Sequence, residues 1–337
     1  MSSVSRTGAK VAGLLGGSWR AAPPPVAISE SDLLSLRKIL LHTGSAALAW
    51  WRIRQSSLRE SAASQEFREA FRLYSINATL SERRLTMIVQ RLRAHGIEPI
   101  LAKGWAIARE YPQPGLRPYG DFDLCVPPDR CADAEEICAK HELGGLDVHP
   151  RFRELTAEYG ELLLRSRELP IGQTSIRILS PEDHFRLLAI HALFHGVWKP
   201  LWLCDIALLM ESQDTTIDWE LCLSGEPKRS EWVMAAIALA HEILGARLPD
   251  PISSLNTRQF PRWLFNGLRM QWGQEEFYMN GPTAGSLIRD GQLVQLARGR
   301  WPNPIQATVE LGARINRTPR IAIQVADVVM RIAKMKR

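Results

Sequence analysis

The sequence predicts an α+β chain: a small mixed β-sheet core, flanked by N-terminal helices and followed by a mostly helical C-terminal part. Three observations carry that prediction. Apolar residues recur at helical spacing over 31–96. Four short apolar or alternating runs, at 99–102, 121–126, 146–149 and 174–179, are set apart by glycine and proline and read as strands. Beyond Ser180-Pro181-Glu182-Asp183 the helical spacing returns. The expected organisation is a disordered leader over 1–30, a helical segment over 31–96, the α/β core over 97–180 and a helical domain over 181–337.

The leader is rich in Ala, Gly, Ser and Pro, has no acid before Glu30, and carries only a feeble apolar run for a targeting peptide. Its Gly13-x-x-Gly16-Gly17 has no strand before it and no Lys-Ser/Thr after it, so it is not a phosphate loop. Ser31-Asp32 reads as a cap before Leu33, Leu36, Ile39 and Leu40, and the pattern runs on through Trp50 and Trp51. A second helical run covers 65–94 and stops at Gly96. After the strand at 99–102 comes a brief helix over 105–110, then a proline- and glycine-containing loop. Asp129 caps a helix reaching 140. Proline at the first position and acids in the first turn start a helix at 182–196, with others at 201–211 and 231–244. The last stretch, 321–337, reads as a helix packed on the domain with a basic, frayed end.

The chain of 337 residues, 45% hydrophobic and 23% charged, has the composition of a soluble globular protein. No run reaches the roughly 18 apolar residues of a membrane span, so no integral membrane association is expected. The 11 tryptophans are scattered rather than gathered in a basic aromatic stripe, which argues against a single-stranded nucleic-acid platform. A net charge of +6 suits an anionic ligand. Five cysteines without a C-x-x-C pair fit a reduced, cytoplasmic setting. Nothing in the sequence fixes the oligomeric state.

Chemistry concentrates in one stretch. Asp121 and Asp123, two apart on a strand, share a face while Phe122 and Leu124 take the other. Like charges side by side repel, and a divalent cation with hard oxygen ligands offsets that repulsion. Asp147 and His149 share a face of a later strand, and Asp147 would complete a three-carboxylate set if the strands are neighbours. Two cations about 3.5–4 Å apart would then serve an attacking oxygen and a triphosphate. Gly104 opens a helix whose free amides could meet phosphate, and Lys103 and Arg117 could add positive charge. The alternative for Arg117 is a structural pair with Asp121, and for His149 the two readings are orienting an acceptor and satisfying a buried hydrogen bond. His191 and His195 stand at i, i+4, but Ala192 occupies the position of a metalloprotease glutamate, so a histidine lining a substrate cleft is expected instead of zinc. Asp205 on an apolar helix reads as a buried structural partner.

These residues resemble the DNA polymerase β-type nucleotidyltransferase superfamily, and more narrowly the bacterial uncharacterised nucleotidyltransferase family. The resemblance rests on Lys103-Gly104, on Arg117-x-x-x-Asp121-x-Asp123-Leu124 and on Asp147-x-His149. It extends to Pro181-Glu182-Asp183, His191 and Trp202-Leu203-Cys204-Asp205-Ile206. It implies metal binding by Asp121, Asp123 and Asp147, phosphate contact by Gly104, and Mg²⁺ or Mn²⁺ as cofactor. It also implies transfer of a nucleoside monophosphate from an NTP to a small-molecule or peptide acceptor. Trp105 departs from the superfamily's small residue at that position. It supports the alternative of a noncatalytic binding protein on the same fold; a third reading is a transferase using another donor, such as a nucleotide sugar.

Overall fold

A computed structural model describes residues 3–141, 143–274, 302–315 and 320–335. The expected disordered leader is instead helix α1 (Ser3–Leu15), with Val11, Ala12, Leu14 and Leu15 buried. Glycines at its contact with α12 (Arg262–Trp272) explain the difference. A Cβ on Gly8 would sit 1.7 Å from the Arg269 carbonyl oxygen, and one on Gly273 1.9 Å from that of Val4. Glycine composition that reads as disorder therefore lets two helix backbones touch.

Helix α2 (Glu30–His42) starts earlier than expected, because Ser29, in extended backbone, accepts from the Asp32 amide. It does not run on to Trp51: Gly44, with φ +72°, turns the chain into α3 (Ala46–Ile53). The long α4 (Ala62–Ala94) fills the 65–94 prediction. After strand β1 (Ile100–Ala102) come α5 (Gly104–Ala108), β2 (Phe122–Cys125), α6 (Cys131–Lys140) and β3 (Leu146–His149). Helix α7 (Tyr159–Arg165) and strand β4 (Arg167–Ile171) precede β5 (Thr174–Ile178). Strand β4 escapes sequence reading because Pro170 argues against a strand. Its place at the sheet edge tolerates the missing donor.

Next come α8 (Pro181–Phe194), α9 (Pro200–Glu211), the short α10 (Trp219–Cys222), α11 (Pro227–Leu244) and α12 (Arg262–Trp272). Helices α13 (Pro304–Glu310) and α14 (Arg320–Met335) follow. Helix α14 does pack on the protein, burying Ile323, Gln324 and Asp327. The basic end at Lys336 and Arg337 lies outside the described residues.

The mixed sheet has the order β3-β2-β1-β5-β4. β2 runs antiparallel to β1 and parallel to β3, while β5 is parallel to β1. Its two faces have different partners. Leu101, Phe122, Leu124, Ile176 and Ile178 join an apolar cluster with Leu85, Ile88 and Leu92 of α4 and Ala134 and Cys138 of α6. Ile100, Ala102 and Cys125 belong to a larger cluster shared with α1–α3, α8, α9, α11 and α12. Asp123, between Leu124 and Phe122, therefore points to the face that meets the helices.

Candidate active site

The Lys103-Gly104 turn is strained. Lys103 has φ +53° and ψ −143°, a region that side chains with a Cβ rarely adopt, and Gly104 has φ +28°. A Cβ on Gly104 would lie 3.1 Å from the Asp121 carbonyl oxygen, so the turn presses on the start of β2. The result brings the Lys103 ammonium to 2.7 Å from Asp123 Oδ1.

Parallel register sets Asp123 directly opposite Asp147, and Cys125 opposite His149. His149 Nε2 lies 3.4 Å from Asp123 Oδ1 and 3.3 Å from Asp147 Oδ2. Ligand atoms of these three residues fall within 4.8 Å of one another, the one such group of three among the described residues. The adjacency of the two strands on which the three-carboxylate reading depended is thus present. Asp121 is exposed just before β2 and stands outside the group; His149 holds the third place. Burial pushes the Asp123 carboxyl up, yet the hydrogen bond with His149 and the Lys103 ammonium outweigh it and hold the group below its ordinary range.

Two carboxylates and one imidazole fit a divalent cation. The oxygens suit magnesium or manganese, and the nitrogen leans the set toward manganese or a softer metal. In the structure the Lys103 ammonium supplies the positive charge beside Asp123.

Arg117 sits apart from this group. Its Nη2 is 3.0 Å from Asp205 Oδ2, its Nε also donates to Asp205, and its Nη1 donates to the Pro118 carbonyl. Tyr111 donates to the other Asp205 oxygen at 2.9 Å. Burial works against the guanidinium, but Asp205 raises its pKa and keeps it charged. Asp205 is the buried structural partner read from the sequence, and Arg117, rather than a surface group, is what it holds. The pair ties the loop before β2 to α9.

Trp105 is 2% exposed and turns into the cluster under α4, where its Nε1 donates to Glu82 at 3.4 Å. Its bulk does not fill the mouth beside Lys103.

Across from the carboxylates, α8 presents His191 and His195, with ring centroids 4.5 Å apart. Trp202 of α9 packs against both, each at 5.3 Å. Lys199 lies over Trp198 and Trp202; burial lowers its pKa first, with Arg117 repelling and Asp121 attracting the charge. Sequence reading missed Glu154, which is 4% exposed and meets His191 Nδ1 at 3.0 Å. Its only signal is an acid set between Phe152 and Leu155, both buried. Burial opposes the Glu154 charge, but the His191 hydrogen bond, Lys103 and its own backbone bring the carboxyl down to about 2.

The family described as uncharacterised nucleotidyltransferase matches residues 29–144 and 140–245, more than half of the chain. No curated protein matches. No solved structure matches either.

Proposed function

We propose, for a chain that belongs to the uncharacterised nucleotidyltransferase family, that it moves a nucleoside monophosphate from an NTP to an acceptor and releases pyrophosphate. The observation that carries this reading is the Asp123–Asp147–His149 group formed by the parallel β2–β3 register, with Lys103 at its edge. Asp123 and Asp147 would hold a divalent cation, Mg²⁺ or Mn²⁺, with His149 as third ligand and Asp121 at the solvent side. The cation would neutralise phosphate charge when bound. Lys103 and Gly104 then lie where phosphate oxygens would come. Arg117 acts through Asp205, shaping the loop that delivers Asp121 and Asp123.

The acceptor, a small molecule or a peptide, would enter between β3 and α8–α9, along the wall that includes His191. A cytoplasmic setting is supported by five cysteines that are all free thiols. Among the described residues no helix is long and apolar enough to cross a membrane. The noncatalytic alternative lost its best support when Trp105 turned into the core.

Thermal melting with each NTP and Mg²⁺ or Mn²⁺ tests the proposal. Wild type should shift upward with NTP and metal together, and Asp123→Asn should not. Nucleotide sugars in the same assay decide the donor. No shift with any NTP, or an equal shift for Asp123→Asn, sinks the transferase.

A further inference from the structure

The carboxylate group accounts for the phosphate side of a transfer reaction, but it leaves the acceptor's proton without a destination. The Glu154–His191 pair supplies one. A carboxylate that is 4% exposed is destabilised unless its oxygens are satisfied. Here Glu154 is positioned from several sides. Arg229 Nη1 donates to its carbonyl at 2.6 Å, Arg153 approaches its Oε1 at 3.8 Å, and His191 Nδ1 lies 3.0 Å from the same oxygen.

An ionised Glu154 can only accept, so Nδ1 must carry the imidazole hydrogen. The lone pair is then on Nε2. That atom makes no hydrogen bond with a described residue, and the side chain keeps 17% of its surface open. Aromatic contacts with His195 and Trp202 fix the ring plane. The charges of Lys103 and Asp123 also act on His191. An oriented carboxylate, an imidazole of fixed tautomer and a partly exposed ring with a free nitrogen form the pattern of a general base.

We propose that His191, positioned by Glu154, takes the proton of an acceptor hydroxyl, and that the acceptors of this site are alcohols rather than phosphates or carboxylates. This rests on the transferase reading above. The acceptor oxygen bonds to the α-phosphorus. The bond from that phosphorus to the α–β bridging oxygen breaks, its electron pair leaving on pyrophosphate, and the acceptor proton ends on His191 Nε2. An anionic acceptor needs no base at neutral pH and would be repelled by the Glu154 carboxylate beside His191. Burial, with the Lys103 charge, lowers the His191 pKa against the pull of Glu154 and Asp123, so the ring is neutral and ready to accept. His195, Arg153 and Asp205 are the other charged or titratable groups that act on this pair.

The test uses the full chain with Mn²⁺ and each NTP, with water or glycerol as hydroxyl acceptor and inorganic phosphate as anionic acceptor, and follows pyrophosphate release. His191→Gln and Glu154→Gln should keep the wild-type thermal shift with NTP and metal, and KM for NTP within about twofold. kcat should fall by about 10²-fold or more for His191→Gln. The wild-type rise of kcat with pH, set below the ordinary histidine range, should vanish in His191→Gln, and free imidazole should restore part of its rate. Glu154→Gln, which keeps the side-chain shape, serves if His191→Gln does not fold. Wild-type turnover in both variants overturns the base, as does equal use of phosphate and glycerol. Binding of NTP without release to water or glycerol overturns the hydroxyl assignment. Absence of any NTP shift in wild type is the separate failure of the transferase reading itself.

Discussion

Two ion pairs of nearly equal length sit within one loop's reach of each other and do different work. Lys103–Asp123 closes at 2.7 Å and Arg117–Asp205 at 3.0 Å. Asp123 has His149 and Asp147 beside it, and its partner is a flexible lysine at a strained turn. Asp205 is wholly buried, and its partner is a guanidinium whose nitrogens are all engaged within the protein. A lysine ammonium is a point charge that a metal or phosphate can displace; a forked guanidinium locked on a buried carboxylate is not. On the proposed reading a cation or phosphate would open the first pair; the second is a pin between the loop and α9.

The largest expected effect breaks the first pair. Asp123→Asn should reduce pyrophosphate release by about 10³-fold or more, because it removes the carboxylate that would hold the cation. It should also lower the melting temperature, because the Lys103 and His149 contacts lose their charge. Release at the wild-type rate would remove the carboxylate group from the reaction.

Breaking the second pair should act on folding instead. Asp205→Ala leaves a buried guanidinium unpaired and should cost about 3–5 kcal/mol in urea unfolding. Replacing both partners, Arg117→Met with Asp205→Leu, should recover most of that loss and keep NTP binding. A stable double variant that no longer binds NTP would give Arg117 a phosphate role.

His184 provides a background against which both are measured. It is 3% exposed, its Nε2 has no partner among the described residues, and burial, with Arg167 and Arg117 adding to it, lowers its pKa to about 3. The unfolded chain binds a proton near pH 6.5 that the folded chain refuses, so stability falls as pH drops below 6.5. Between pH 6.5 and 5 this amounts to about 2 kcal/mol. His184→Leu should flatten that slope in pH-dependent unfolding; an unchanged slope would place the sensitivity elsewhere. The smallest effect sharpens the reading of the first pair. Lys103→Met should tighten Mn²⁺ binding severalfold without nucleotide, by calorimetry, while weakening NTP binding about tenfold. Weaker Mn²⁺ binding in that variant would mean that the ammonium does not compete for Asp123.

Much of this was legible before any coordinates. Alternation placed Phe122 and Leu124 opposite Asp123, and Leu146 and Val148 opposite His149, because strand geometry fixes faces locally. Proline and acids in the first turn located α8; α9 and α11 were legible too, although α11 reads from 231 where the helix starts at Pro227. What failed to read were features whose cause is distant. Gly8 looked like part of a disordered leader until α1 met α12. Pro170 hid a strand that only an edge position permits. Glu154 is unremarkable in sequence and meets His191 only when the loop after β3 folds against α8.

The sequence by itself determined the chemistry available: an i, i+2 carboxylate pair, a D-x-H strand and a Lys-Gly turn, each set by residues close in the chain. Tertiary structure decided the assignments among them. Register put His149 with Asp123 and Asp147, and packing sent Trp105 to the core and Arg117 to Asp205. Local pattern fixes which face a side chain takes; which partner waits on that face depends on a segment tens of residues away.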